Sequence, residues 1–168
     1  MALIETLDSI RDAILDSGGE EIPYLEDGRM PPWFGHAVSD VALALDDAGI
    51  RFTNVAITYS DGGNGYAVVI HLFTDDLLVT VSAGSDAGRA RTTTVRPRCG
   101  LVSMEVQAGA SALGPAAEHG QWPGAVALLL RYDDGAEVKL PGTVRSQPPS
   151  RYQEIYKLVE SLRRDLAQ

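Results

Sequence analysis

The sequence predicts an α+β fold: mostly antiparallel strands, about seven of them in two packed sheets, with a helical extension before them and a capping helix behind. Three observations predict it. Apolar residues recur at three- and four-residue spacing over the first fifty positions, then at every second position, then at helical spacing again from residue 150 to the end. No helical run separates one strand-like run from the next, so the strands are joined without parallel crossovers. The last helix carries one apolar face, which must cover an open sheet end or a partner.

The first helix places Leu3, Ile4, Leu7, Ile10 and Ile14 on one stripe, with Asp8, Asp12 and Asp16 every fourth residue on the other side. Gly18-Gly19 ends it, because glycine takes the left-handed cap conformation readily. Residues 20–35 read as an ordered loop held by Tyr24, Pro31, Pro32, Trp33 and Phe34. That cluster suits a groove plug, and Trp33 and Phe34 are its candidate binding residues. A second helix runs from about His36 to Ala48, with Val38, Val41, Ala42 and Leu45 inward and Gly49 as its stop. Asp46 and Asp47 stand at its carbonyl end, where negative charge is unfavourable, and this leaves room for a partner or a neighbouring base.

From residue 51 the period becomes two. Val55, Ile57 and Tyr59 alternate with Asn54, Ala56 and Thr58, and Ser60 to Gly65 forms a turn. Tyr66 to Phe73 is apolar on both faces, as a central strand is. Leu77 to Ser82 follows, then a polar run from Arg89 to Arg96 that suits an exposed edge, then Leu101 to Gln107. Ala125 to Tyr132 and Ala136 to Leu140 make the clearest hairpin, through Asp133-Asp134-Gly135. The connection Ala108 to Gly124 carries His119 and Trp122, and Trp122 suits an anchor for the connection's return. Pro148-Pro149 and a Ser150/Gln153 capping box open the last helix, and Tyr152, Ile155, Val159, Leu162 and Leu166 form its stripe.

The chain of 168 residues is 45% apolar, enough for a folded core, and contains no apolar run of membrane-spanning length. Its start lacks the pattern of a signal peptide, and the single cysteine, Cys99, excludes an intrachain disulfide. A cytoplasmic location is the expectation. Net charge is −9, and residues 1–50 account for all of it: eleven acids against Arg11 and Arg29 give −9, while twelve acids and twelve bases in residues 51–168 cancel. The expected organisation is therefore an acidic helical extension, 1–50, and a β domain with its C-terminal helix, 51–168. So acidic a chain argues against nucleic-acid binding, which needs clustered cations.

Catalytic spacing is absent from the sequence. His36, His71 and His119 form no metal-ligand pattern, and no metal or cofactor is expected. His71 suits a histidine hydrogen-bonded within the sheet, and Cys99, between Arg96 and Arg98, has no assignable base. One cationic constellation stands out: Arg89 and Arg91 share a face of the polar run, and Arg96 and Arg98 share a face near its end. Together with the neighbouring threonines they would receive an extended acidic peptide at the sheet edge, or else protect that edge from aggregation.

Seven strand-like runs closed by one amphipathic helix resemble the pleckstrin-homology-like superfold over residues 51–167. The passage from Arg96 through Pro97-Arg98-Cys99-Gly100 into Leu101 to Val106 resembles the fourth-to-fifth strand step of small bacterial domains of that kind. The resemblance implies two nearly orthogonal sheets and a recognition module for proteins or peptides, or in some members phosphoinositides. Here the first hairpin turn holds Asp61 and no base, which argues against phosphoinositide binding, and the closing helix has Tyr152 and Tyr156 but no tryptophan.

These readings lead to a non-enzymatic module for protein contact or self-association. One rival is an acidic antidote of the immunity type, whose Asp8, Asp12, Asp16, Glu20 and Glu21 face a cationic toxin. The other is a small enzyme using His71 or Cys99.

Overall fold

The computed structural model describes residues 3–18, 22, 28–60, 65–85, 91–110, 112–113, 124–142 and 149–167. Gly19, Glu20, Glu21, Tyr24, the Asp61–Asn64 part of the first hairpin turn, Arg89, His119, Trp122, Pro148 and the side chain of Ser150 lie outside the described residues. The architecture is α+β. Seven antiparallel strands form one sheet of four and one of three, with helices at both ends of the chain. The chain divides into two compact units, Met1–Pro97 and Arg98–Gln168.

The first unit contains α1 (Leu3–Gly18), α2 (Pro32–Leu45), β1 (Phe52–Tyr59), β2 (Tyr66–Phe73), β3 (Leu77–Gly84) and β4 (Thr92–Pro97). The strands follow one another as a meander, in the order β1-β2-β3-β4. Register fixes the two faces. Val55 pairs with Ile70 and Ile70 with Val81, so these side chains share one face, where they meet Ile10, Ile14, Phe34 and Val41 in a single apolar core. Each such side chain contributes about 1.5–3 kcal/mol when fully buried. Asn54, His71, Thr80 and Thr94 form the row that points the other way. The Ser17 hydroxyl donates to the Thr53 carbonyl at 2.9 Å and fastens the end of α1 to β1.

Three helical details differ from the sequence expectation. The second helix begins at Pro32, four residues before His36, so Trp33 and Phe34 lie in its first turn and not in a loop. Proline is favoured at that place because its missing N–H has no acceptor there and its φ is already helical. The helix also ends earlier, at Leu45. Asp46 follows with φ 52, a conformation that favours glycine, and its N–H is donated to the Ala42 carbonyl. In α1, Ile10 and Ile14 are buried, whereas Ile4 is 73% exposed. At 3.6 residues per turn, Ile4 lies roughly 85° from the centre of the stripe and so falls outside the packed face.

The second unit begins with a 3-10 turn at Arg98–Gly100 and continues through β5 (Leu101–Ala108), β6 (Val126–Tyr132), β7 (Glu137–Leu140) and α3 (Pro149–Asp165). Its sheet order is β5-β6-β7. Gly135, at φ +81, closes the β6–β7 turn that Asp133-Asp134-Gly135 foretells. Gly109 and Gly124 hold the root of the β5–β6 connection. The Gly109 N–H is donated to the Ala125 carbonyl, and a Cβ on Gly109 would approach that oxygen to 2.9 Å. Ile155, Leu158, Val159 and Leu162 bury the inner face of α3.

Candidate functional site

An α-helix presents its side chains outward, so two helices laid side by side leave a furrow wherever small residues face each other. Early α1 lies beside late α2. Thr6 and Leu7 face Ala42, Leu43, Asp46 and Asp47 across a cavity of about 710 Å³. Leu7 and Ser39 also line a second cavity of about 480 Å³, which continues past Asp8 and Arg11 to Met30, Pro31 and Phe34. The two cavities therefore make one furrow, with an apolar floor and carboxylates on its rim. Leu43 stands at its edge, 86% exposed. A leucine so placed keeps in water an area whose burial favours association.

Asp8, Asp46 and Asp47 line the furrow, Asp12 and Asp16 stand outside its lining, and these acids differ in their partners. Arg11 binds both Asp8 and Asp12, at 2.7 and 2.9 Å, in exposed bonds. Asp16 is exposed. Among the described residues, no base pairs with Asp46 or Asp47, so the neighbouring base that their place at a helix C-terminus invites is absent there.

The described members of the cationic constellation, Arg91, Arg96 and Arg98, have different surroundings. Arg91 donates from Nε to Asp40 of α2 at 2.7 Å, and the Thr93 hydroxyl donates to the same carboxylate at 3.0 Å. The Arg91 guanidinium, and then the Thr93 hydroxyl, hold the Asp40 carboxyl below the usual carboxylate range against the opposing effect of burial. Arg96 pairs in register with Leu78, on the opposite face of β4 from Thr93. Arg98 does not continue that face. It lies in the 3-10 turn, 2% exposed, and donates from Nη2 to Asp165 and to Ser161 of α3, at 2.7 and 2.8 Å. A buried guanidinium needs such partners, and they come from 63 and 67 residues further along the chain. Arg91 and Arg98 thus each hold a helix.

Trp33 and Phe34 belong to the core. Their rings meet edge-on with centroids 5.7 Å apart, and the Trp33 Nε1–H is donated to the Tyr66 hydroxyl at 3.0 Å. His71 is buried in β2, with Nδ1 3.1 Å from the Thr80 hydroxyl of the neighbouring strand. Burial, with the Arg96 charge adding to it, lowers its pKa to about 4, so the ring is neutral near pH 7. Cys99 is a free, exposed thiol in the 3-10 turn. Among the described residues, no cluster of three or more His, Cys, Asp or Glu side chains has the geometry of a metal site. None of the described helices is long and apolar enough to cross a membrane.

The residue that sequence reasoning missed is Leu43. Its signal was present: a large apolar side chain between Ala42 and Ala44, off the stripe formed by Val38, Val41 and Leu45.

Comparison with protein-family models, with curated proteins and with solved structures finds no significant match to this chain.

Proposed function

We propose that this protein is a non-enzymatic interaction module, and that the α1–α2 furrow is its contact surface. The observation that carries this reading is Leu43, an 86% exposed leucine beside an apolar furrow shared by two helices. The groups a reaction would use offer less. His71 is neutral, buried and bonded to Thr80, and Cys99 has no described base assigned to it. Four strands followed by three, each set a meander and the last leading to a helix, support a pleckstrin-homology-like architecture for the β region. The two helices would then be an addition to that scaffold, where this protein's own specificity lies.

A photo-crosslinking residue at position 43, compared in cells with one at exposed Lys139, tests the reading. Adducts formed at 43 and not at 139, identified by mass spectrometry, are the expected result. Equal labelling at both positions, or none at 43, counts against the furrow as the contact surface.

A further inference from the structure

An apolar furrow bordered by carboxylates constrains what can fill it. The stretch that lines it, from Phe34 in the first turn of α2 to Asp47 just past its end, spans roughly 20 Å at 1.5 Å per residue, which matches about four turns of a third helix laid alongside. An occupant must supply an apolar stripe for Leu7, Ala42 and Leu43, and must bring cations to Asp46 and Asp47. Those two carboxylates lie where the carbonyl end of α2 is already negative, and among the described residues no cation answers them. A helix with lysine or arginine flanking a leucine-type stripe meets both requirements.

A second copy of this chain meets neither. Its α1 would bring Asp8, Asp12 and Asp16 against Asp46 and Asp47, and the apolar face of its α3 is already buried. Residues 1–50 as a whole carry eleven acids against two bases, so like would meet like.

Resting on the reading of this furrow as the contact surface, we infer that its occupant is a cationic amphipathic helix of another protein, seated with its apolar stripe on Leu7, Ala42 and Leu43 and its charges on Asp46 and Asp47. This is the helix-in-groove mode, with the acidic rim selecting among helices.

The test uses the full chain and three synthetic 18-residue peptides: a Lys/Leu amphipathic helix, the same stripe with glutamate for lysine, and a Lys/Ser peptide without a stripe. Amide shifts locate each peptide, and fluorescence anisotropy at two salt concentrations measures its affinity. The Lys/Leu peptide is expected to shift amides of residues 6–11 and 39–47. It should bind at least tenfold more tightly than either control. Pairing Asp46→Asn with Asp47→Asn should weaken it about tenfold and flatten its salt dependence, and Leu43→Ser should weaken it several-fold. All three positions are exposed, so both variants retain the fold. If the Lys/Ser peptide binds as well, attraction is mere charge and the inference falls. If the Glu/Leu peptide binds as well and Leu43→Ser weakens both, the furrow stands as a contact surface and the cationic class falls. If no peptide shifts residues 39–47, and crosslinking at 43 also fails, both readings fall together.

Discussion

Arg91 and Arg98 stand seven positions apart, and each binds an aspartate of a helix, yet they hold different kinds of bond. Arg91 and Asp40 retain 30% and 28% of their side-chain exposure; Arg98 and Asp165 retain 2% and 11%. A half-solvated pair gains little, because water already stabilises both charges and salt screens what remains. A buried pair gains little over an apolar one of equal shape, but removing one member leaves the other charged and without water. The two units thus use the same chemistry with opposite sensitivity: α2 is trimmed to β4 by its pair, whereas α3 is committed to the 3-10 turn by its own.

The largest effect should come from breaking the buried pair alone. Asp165→Ala should cost about 3–5 kcal/mol in urea unfolding, while Arg98→Met combined with Asp165→Leu should restore most of that loss. Should the single and double variants be equally damaged, the two pairs differ less than their burial implies. A second effect, of about 3 kcal/mol, belongs to His71. Its folded pKa near 4 lies below the ordinary 6.5, so the unfolded chain takes up the proton first, and stability falls as pH drops from 6.5 towards 4. Thermal melts across that range should show this slope in the parent and a shallower one in His71→Gln. The smallest effect is at Asp40. Its lowered carboxyl pKa stabilises the fold above the unfolded value of 3.8, and that contribution disappears as pH falls through the folded value. A double-mutant cycle of Asp40→Asn with Arg91→Gln should give a coupling below about 1 kcal/mol, decreasing with salt.

The strand region was legible because its signals are local. Val55, Ile57 and Tyr59 alternate with Asn54, Ala56 and Thr58 as a strand must, although β1 is buried on both faces at its start and exposed at Tyr59, and Asp133-Asp134-Gly135 supplies the positive φ its turn needs. The start of α2 is not legible, because Pro31-Pro32 reads as loop punctuation in the sequence while Pro32 in fact opens the helix. The fate of Arg98 was not legible at all. Burial of a guanidinium depends on Ser161 and Asp165, and no periodicity near residue 98 points to them. The furrow lay between these cases. The mismatch of Asp46 and Asp47 with the helix end was readable, whereas the opening beside Leu43 depends on how α1 lies against α2. Composition changes near residue 50, where the acid excess ends, and the compact units part at Pro97.

The glycines at 109 and 124 give the β5–β6 pair a clasp. Backbone presses on backbone there, with the Gly109 N–H held by Ala125 and the left-handed Gly124 set against Ala110. Strand register is therefore locked before the chain leaves the ladder. A Cβ at 109 or 124 would meet that contact at 2.9 Å, so alanine at either position should loosen the β5–β6 pairing at this end.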